Sequence, residues 1–276
     1  MIRSGSADVV ICGGLESWSR APQRIARPLD ADPVAYNRPP FSPWPQRDPE
    51  MPEAAAALAH VRNITRTQQE QFAIASHAKS QTVQSNPAIH PVSGVDRDEY
   101  ARNLQERLCR RLPAISGEAQ HELTAATIAA EADAAALVVL CSDAVLGRLQ
   151  PRCKPVQLLG SRSVGGAPEQ PALTPIAAAQ NILSEHQTPT QNLYSVHLME
   201  AFAVQAMACI EELKLQAHAV NPTGGALARG HPIGASGAIE TVEAFHALQQ
   251  APAGVRSLCA IAAAGGLGTA QLLEAS

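Results

Sequence analysis

Residues 221–238 read NPTGGALARGHPIGASGA, a stretch in which one histidine, His231, stands among five glycines. Gly230 before it lets the backbone approach a ligand closely, and Pro232 after it stiffens the chain, which is the setting a positioned imidazole requires. A glycine-rich loop that runs into a helix also predicts an anion site, because free backbone N–H groups and the helix dipole both favour negative charge. The nucleotide-binding patterns do not fit. GHPIGASG has neither GK[ST] nor GxGxxG, and GGLGTAQ (265–271) lacks the third glycine and leads into a strand.

Working outward, residues 192–197 are patterned as a strand, and Met199, Phe202, Ala206, Ile210 and Leu213 make a helical stripe over 199–213. Ser236 is placed to cap a helix over 237–249 with Ile239, Val242, Phe245 and Leu248 facing inward. Residues 257–263 and 269–273 read as the two strands of a hairpin joined by AGGLG. The order β, α, loop, α, β, β indicates a layered α/β domain that closes on an antiparallel edge.

The N-terminal part is less regular. ADVVIC (7–12) reads as a buried strand stopped at Gly13-Gly14, and so early a central strand implies that the chain begins partway through a domain. Residues 28–52 are proline-rich and carry Tyr36, Phe41 and Trp44, which predicts an irregular excursion packed on the body. A helix is expected over 65–83, entered through a capping box from Thr67 to Glu70. Residues 124–141 read as an alanine-rich helix passing into the strand ALVVLC, and the polar segment 142–155 marks a boundary between domains 1–150 and 151–276.

The bulk properties narrow the function classes. With 276 residues, 46% of them hydrophobic, the chain can bury a large core. A net charge of -4 with interspersed signs offers no broad cationic face, so a nucleic-acid partner is not expected. The six cysteines (Cys12, Cys109, Cys141, Cys153, Cys209, Cys259) are scattered singly, which fits a reducing compartment and argues against a metal site. No run approaches a membrane span and the first residues lack a signal-peptide core, so the expected location is cytoplasmic.

NPTGGALARGHPIGASGA resembles the thiolase signature, with Asn-x-x-Gly-Gly, Gly-His-Pro and Gly-x-Ser-Gly at the spacings of that family. HLMEAFAVQAMACIEEL (197–213) is similar to its NEAFA helix, and ADVVICGGLESWSRAP (7–22) to the stretch that follows its nucleophilic cysteine. TRTQQEQFAIASHAKSQ, DRDEYARN and the segments around TAAT and ADAAAL follow in family order.

The resemblance implies a layered α/β thiolase-like fold whose C-terminal half is complete and whose N-terminal half lacks its first elements, in a truncated and diverged chain. It implies acyl transfer on coenzyme A thioesters, with acyl-CoA as substrate or ligand and no further cofactor. His231 would polarise a thioester oxygen and support a thiolate. Glu200, Ala201 and Phe202 match the Glu-Ala-Phe of the helix, and Phe202, Gly230 and Gly265 would line the substrate site. Met199 stands where the family has the asparagine that holds an oxyanion-hole water. Ala262 stands where it has a second cysteine, and Cys259, at an odd offset, points to the other face. The backbone N–H of Ala264 is left as a donor for an oxyanion hole, and Ala126 and Ala134 replace family glycines on the CoA side. The nucleophile itself would lie before Met1.

Three functions follow from that reading: a family member that does not catalyse thiolysis as this chain, an acyl-CoA transferase or thioesterase-like enzyme whose cysteine comes from an upstream segment or a partner chain, and a non-catalytic CoA-binding or structural subunit. A homo- or hetero-oligomer covering the N-terminal domain is expected, since missing strands leave an apolar sheet edge for a partner.

Overall fold

The computed structural model describes residues 1–82, 86–149, 151 and 153–276. Val83 of the expected helix and Gln150 at the expected boundary lie outside them. The strands are β1 (Val9–Glu16), β2 (Arg24–Ala26), β3 (Val34–Tyr36), β4 (Ala134–Cys141), β5 (Val156–Gly165), β6 (Leu193–Leu198), β7 (Arg256–Ala263) and β8 (Leu267–Ala275). The helices are α1 (Met51–Val61), α2 (Arg66–Thr82), α3 (Glu106–Cys109), α4 (Asp143–Leu146), α5 (Thr174–Glu185), α6 (Ala203–Glu212), α7 (Ala226–Arg229) and α8 (Ser236–Gln249).

A four-stranded sheet ordered β5-β8-β7-β6 organises the C-terminal half. β8 runs antiparallel to both β5 and β7, and β6 joins parallel to β7. The last strand therefore lies inside the sheet rather than closing its edge. Ile182 of α5, Cys209 of α6, Leu198, Leu258 and Leu272 form the main core. The hairpin expected over 257–273 is present, its turn made by Gly265 and Gly266 and its first strand buried between α5 and α8.

α8 is shared by two sheets: it packs on β7 and also on the β1–β4 antiparallel pair. Of its four expected inward residues only Leu248 is fully buried, whereas Glu240, Glu243 and Ala244 are buried as well. A helix covered on two sides has no single apolar face, so the periodicity in its sequence misleads.

β1 does not stop at Gly13-Gly14; it continues to Glu16. The glycines are there for close approach. A Cβ on Gly13 would come within 2.0 Å of the Ala136 carbonyl oxygen, and one on Gly14 within 1.9 Å of the Gly234 carbonyl oxygen. Nor is β1 buried. α8 covers one face of the pair, and on the other Val9, Ile11, Leu15, Leu137 and Val139 are exposed. Among the described residues no helix is long and apolar enough to cross a membrane.

Two helical expectations shift. α2 is capped by Thr65 rather than Thr67: the Gln68 N–H donates to Thr65 Oγ1 at 3.3 Å and the Thr65 N–H to Gln68 Oε1 at 2.8 Å, a reciprocal box two residues earlier. Glu70 instead receives Arg66 at 2.8 Å. Residues 124–133 are not helical, despite their alanines. Their backbone is used elsewhere: Ala129 N–H donates to Ala201 O and Ala203 N–H to Thr127 O, both at 2.9 Å.

The proline-rich excursion folds back through charge more than through buried aromatic rings. Arg38 bonds Asp48 and Glu50 at 3.1 Å and stacks over Phe41; Arg47 stacks over Trp44 and reaches Glu169 at 3.0 Å.

Gly14→Ala should lower unfolding stability by about 1–3 kcal/mol, because its methyl has no room against the Gly234 carbonyl. Gly165→Ala, whose added Cβ meets nothing within 4 Å, should change it by less than about 0.5 kcal/mol. Equal denaturant midpoints for the two variants would contradict this account of β1.

Candidate active site

His231 is held by three separate segments. Its N–H donates to the Ala130 carbonyl at 2.6 Å, and residue 131 bridges it in a single parallel β-pair. Just before it, α7 ends at Gly230, whose φ of 96° favours glycine, and a Cβ there would meet the Ala132 methyl at 2.7 Å. Just after it, a Cβ on Gly234 would meet the Leu15 carbonyl oxygen at 2.4 Å, and the Gly234 N–H donates to Glu16 Oε2 at 3.2 Å. The end of β1, the segment before β4 and the histidine loop are therefore in backbone contact.

The ring's tautomer follows from its neighbour. Ser236 Oγ lies 2.7 Å from His231 Nδ1 and 2.9 Å from the Pro232 carbonyl; with its one proton on the carbonyl, it accepts from Nδ1–H and leaves a lone pair on Nε2. Ser236 was expected to cap α8; it is that helix's first residue and makes no cap bond, because its hydroxyl serves the histidine. Burial first, and the Arg229 charge second, push the His231 pKa down to about 4, while Glu16 opposes them. At neutral pH the imidazole is uncharged and Nε2 is a base.

Residues 199–202 were expected to start a helix, but α6 begins at Ala203. Their backbone is engaged by other segments: Met199 N–H donates to Ala260 O at 3.0 Å, and Ile128 bridges Phe202. Met199 is 1% exposed and Phe202 half-buried. Glu200 is a buried hub. It receives Ser76 Oγ at 2.7 Å, Asn221 Nδ2 at 2.6 Å and Leu227 N–H at 3.3 Å. A Cβ on Gly225 would fall 2.1 Å from its carboxyl carbon, which explains the glycine. Asn221, at φ 44°, also closes both Leu198 backbone groups at 2.8 Å. Sequence reasoning matched Glu200 to a motif but missed this hub; the glycine pair at 224–225 was its one local signal.

Ala262 pairs with Gly268 near the tip of the β7–β8 hairpin, and Ala264 opens the turn that Gly265 and Gly266 complete at φ 82° and 80°. A Cβ on Gly265 would meet the Phe41 carbonyl oxygen at 2.6 Å, so the proline-rich excursion crosses over this turn. Cys259 points away, donating to Glu240 O at 3.4 Å, with burial raising its thiol pKa. Cys12 lies on β1 opposite Val138, four residues or roughly 13 Å up the strand from Glu16. Among the described residues no cysteine hydrogen-bonds to His231, and no group of His, Cys, Asp and Glu is arranged to hold a metal. A cleft of about 370 Å³, lined by Trp18, Arg24, Tyr36, Asn37 and Glu131, adjoins the segment that bridges His231.

The thiolase N-terminal domain family model matches residues 1–144 and the thiolase C-terminal domain model residues 154–275. The first match shows that the N-terminal domain is present; it does not bear out the expectation of a truncated, diverged chain without its first N-terminal elements. The beta-ketoadipyl-CoA thiolase of Acinetobacter baylyi is 30% identical, over 99% of this chain and 74% of that protein. Acat5 thiolase from Ascaris suum, crystallised with coenzyme A, superposes with a TM-score of 0.84 at 29% identity, over 100% of this chain and 74% of that one. Human mitochondrial 3-ketoacyl-CoA thiolase in complex with CoA shares the fold, with a TM-score of 0.87 at 24% identity over 99% of this chain and 72% of that one.

His77, His197 and His231 are each lowered from 6.5 to about 4, chiefly by burial. The folded state thus binds fewer protons than the unfolded one between these values, and the stability these groups contribute is lost as pH falls from 6.5 toward 4. Glu240, raised to about 7 by burial, acts in the opposite sense: its contribution is lost as pH rises through 7. Three bases against this one acid predict a denaturant midpoint that drops between pH 6.5 and 4, and a shallower drop in His231→Asn. The same slope in both proteins would show that His231 is not held neutral.

Proposed function

Because the chain belongs to the thiolase family, we propose that it acts on coenzyme A thioesters, with His231 as the acid–base group of an acyl transfer. The observation that carries this reading is the contact of His231 Nδ1 with Ser236 Oγ, itself 2.9 Å from the Pro232 carbonyl, which supports a tautomer with Nε2 as the base. Such a nitrogen can take up a thiol's proton as the sulfur attacks the thioester carbonyl; the imidazolium so made stabilises the developing oxyanion and returns the proton to the CoA thiolate as it leaves. Ala264 is the second donor in this proposal, through its backbone N–H beside the glycine turn. Phe202, Gly230 and Gly265 border the substrate, and the cleft walled by Trp18 and Tyr36 is the approach for the CoA portion. Both structural neighbours carry CoA, which supports the same ligand class here.

The departures at Met199 and Ala262 bear on rate. A missing positioned acid or base costs on the order of 10²–10⁴, and a missing oxyanion donor on the order of 10²–10³. With no cysteine bonded to His231 among the described residues, the proposed covalent step takes its thiol from an upstream segment or a partner chain. The exposed apolar face of β1 and β4 offers a seat for such a polypeptide, on the side of β1 opposite to Gly14 and Glu16, which meet the histidine loop.

The purified chain should be mixed with acetyl-CoA or acetoacetyl-CoA and a small added thiol, with CoA release and intact mass followed. We expect thioester binding, no acyl adduct on this chain alone, and transfer to the added thiol that falls on the order of 10²-fold or more in His231→Ala. An acyl adduct on one of the six cysteines would overturn the external thiol. Transfer unaffected by His231→Ala would overturn the histidine's role, and binding without transfer would favour a CoA-binding subunit.

A further inference from the structure

Directly behind the histidine loop lies a buried ion pair that the acyl-transfer chemistry does not itself use. Arg229 Nη2 meets Glu240 Oε1 at 2.7 Å, with side chains 10% and 2% exposed. The other arm of the guanidinium, Nη1, donates to the Gly224 carbonyl at 3.2 Å. One planar side chain thus joins the start of the loop, the residue two before His231 and the second turn of α8. Glu240 Oε2 is buried without a hydrogen-bond partner, so Arg229 is the only side chain that satisfies this carboxylate among the described residues.

We propose that Arg229, through Glu240, is the positioning residue for His231, stapling the short helix that delivers the histidine to the Gly224 turn and to α8. This rests on the acyl-transfer reading of His231. α7 has four residues, too few to hold its own geometry, and it ends at a glycine with positive φ where the chain has no side chain to lock it. The side chain of its last residue therefore adds a second hold on the direction in which the loop leaves α7, beside the main-chain contacts of Gly230 and His231 with residues 130–132. A lysine could not replace it fully, since a single ammonium cannot reproduce the planar fork that spans two acceptors.

The charge matters too. Arg229 lowers the His231 pKa, second only to burial, so the same guanidinium that aligns the ring also favours its neutral form. The other charged groups facing this region are Glu243 from α8, Glu200 ahead of α6, Asp98 from the segment before α3, and Glu16 of β1 on the imidazole itself. His197 of β6, also near Arg229 and Glu243, is neutral at pH 7.

The test separates alignment from stability by exchanging both partners. Replacing a buried ion pair by apolar side chains of similar volume is often neutral for folding, whereas removing one partner is not. Arg229→Met/Glu240→Met should therefore fold with a thermal midpoint near that of the parent. In ¹⁵N and ¹H spectra of the histidine ring, the parent should show Nδ1–H and titrate near the value of about 4. The double variant should show mixed tautomers and titrate about one unit or more higher. Its thiol-dependent CoA release should fall on the order of 10²-fold in kcat with little change in KM.

Arg229→Lys, which keeps the charge and loses the fork, should titrate like the parent while its tautomers mix; it also decides the matter if the double variant does not fold. A folded double variant, or the lysine variant, with the parent's tautomer would overturn the proposal. If the parent releases no CoA to any thiol, the acyl-transfer reading fails, and the ring spectra still decide whether Arg229 positions His231.

Discussion

The hydrogen bond from the His231 N–H to the Ala130 carbonyl, 2.6 Å long, stitches the C-terminal loop to the N-terminal half of the chain. Its formation depends on small residues wherever backbones cross. Gly230 faces Ala132, Gly234 faces Leu15, and Gly14 faces Gly234, each at a separation that would exclude a Cβ. The histidine is thereby placed by main chain on both sides, not by packing of its own ring. Such a site tolerates variation in the surrounding apolar residues but not in the glycines.

Around that stitch is a layer of buried polar groups. Glu200 collects a hydroxyl, an amide and a backbone N–H from three different elements. Glu243 holds Thr223 and Asn86 at 2.9 and 2.8 Å, and Arg229 ties Gly224 to Glu240. Each of these groups would be costly to bury without its partners. Together they define one arrangement of the loop from Asn221 to Ser236, which a purely apolar interior would hold less specifically. α8 carries two of these acids between two sheets, so its interior face is partly charged.

Much of this fold is legible in the amino-acid order. The β7–β8 hairpin, β6 and β4 follow from short apolar runs and turn glycines, and the histidine loop stands out through GHP set among further glycines. What is not legible is where distant backbone groups compete with local preference. Residues 124–133 have helix-forming composition, yet their carbonyls and N–H groups bond Ala201, Ala203 and His231. Residues 199–202 continue an apolar stripe, yet Met199 is held by Ala260. Ser236 has the look of a helix cap and instead bonds the histidine ring. Gly13-Gly14 suggests a turn, whereas the chain stays extended and the missing side chains admit neighbours. In each case a long-range hydrogen bond or close contact overrides a short-range pattern.

The central claim is that His231 presents a neutral, unprotonated Nε2 toward the space where a CoA thioester would lie. Carbethoxylation by diethyl pyrocarbonate, read residue by residue by mass spectrometry at pH 7 with and without acetyl-CoA, tests it most directly. The account predicts that His231 is modified in the free protein and protected by acetyl-CoA, while fully buried His197 stays unmodified in both. Resistance of His231 to the reagent, or modification at the same rate with acetyl-CoA at saturation, would contradict it.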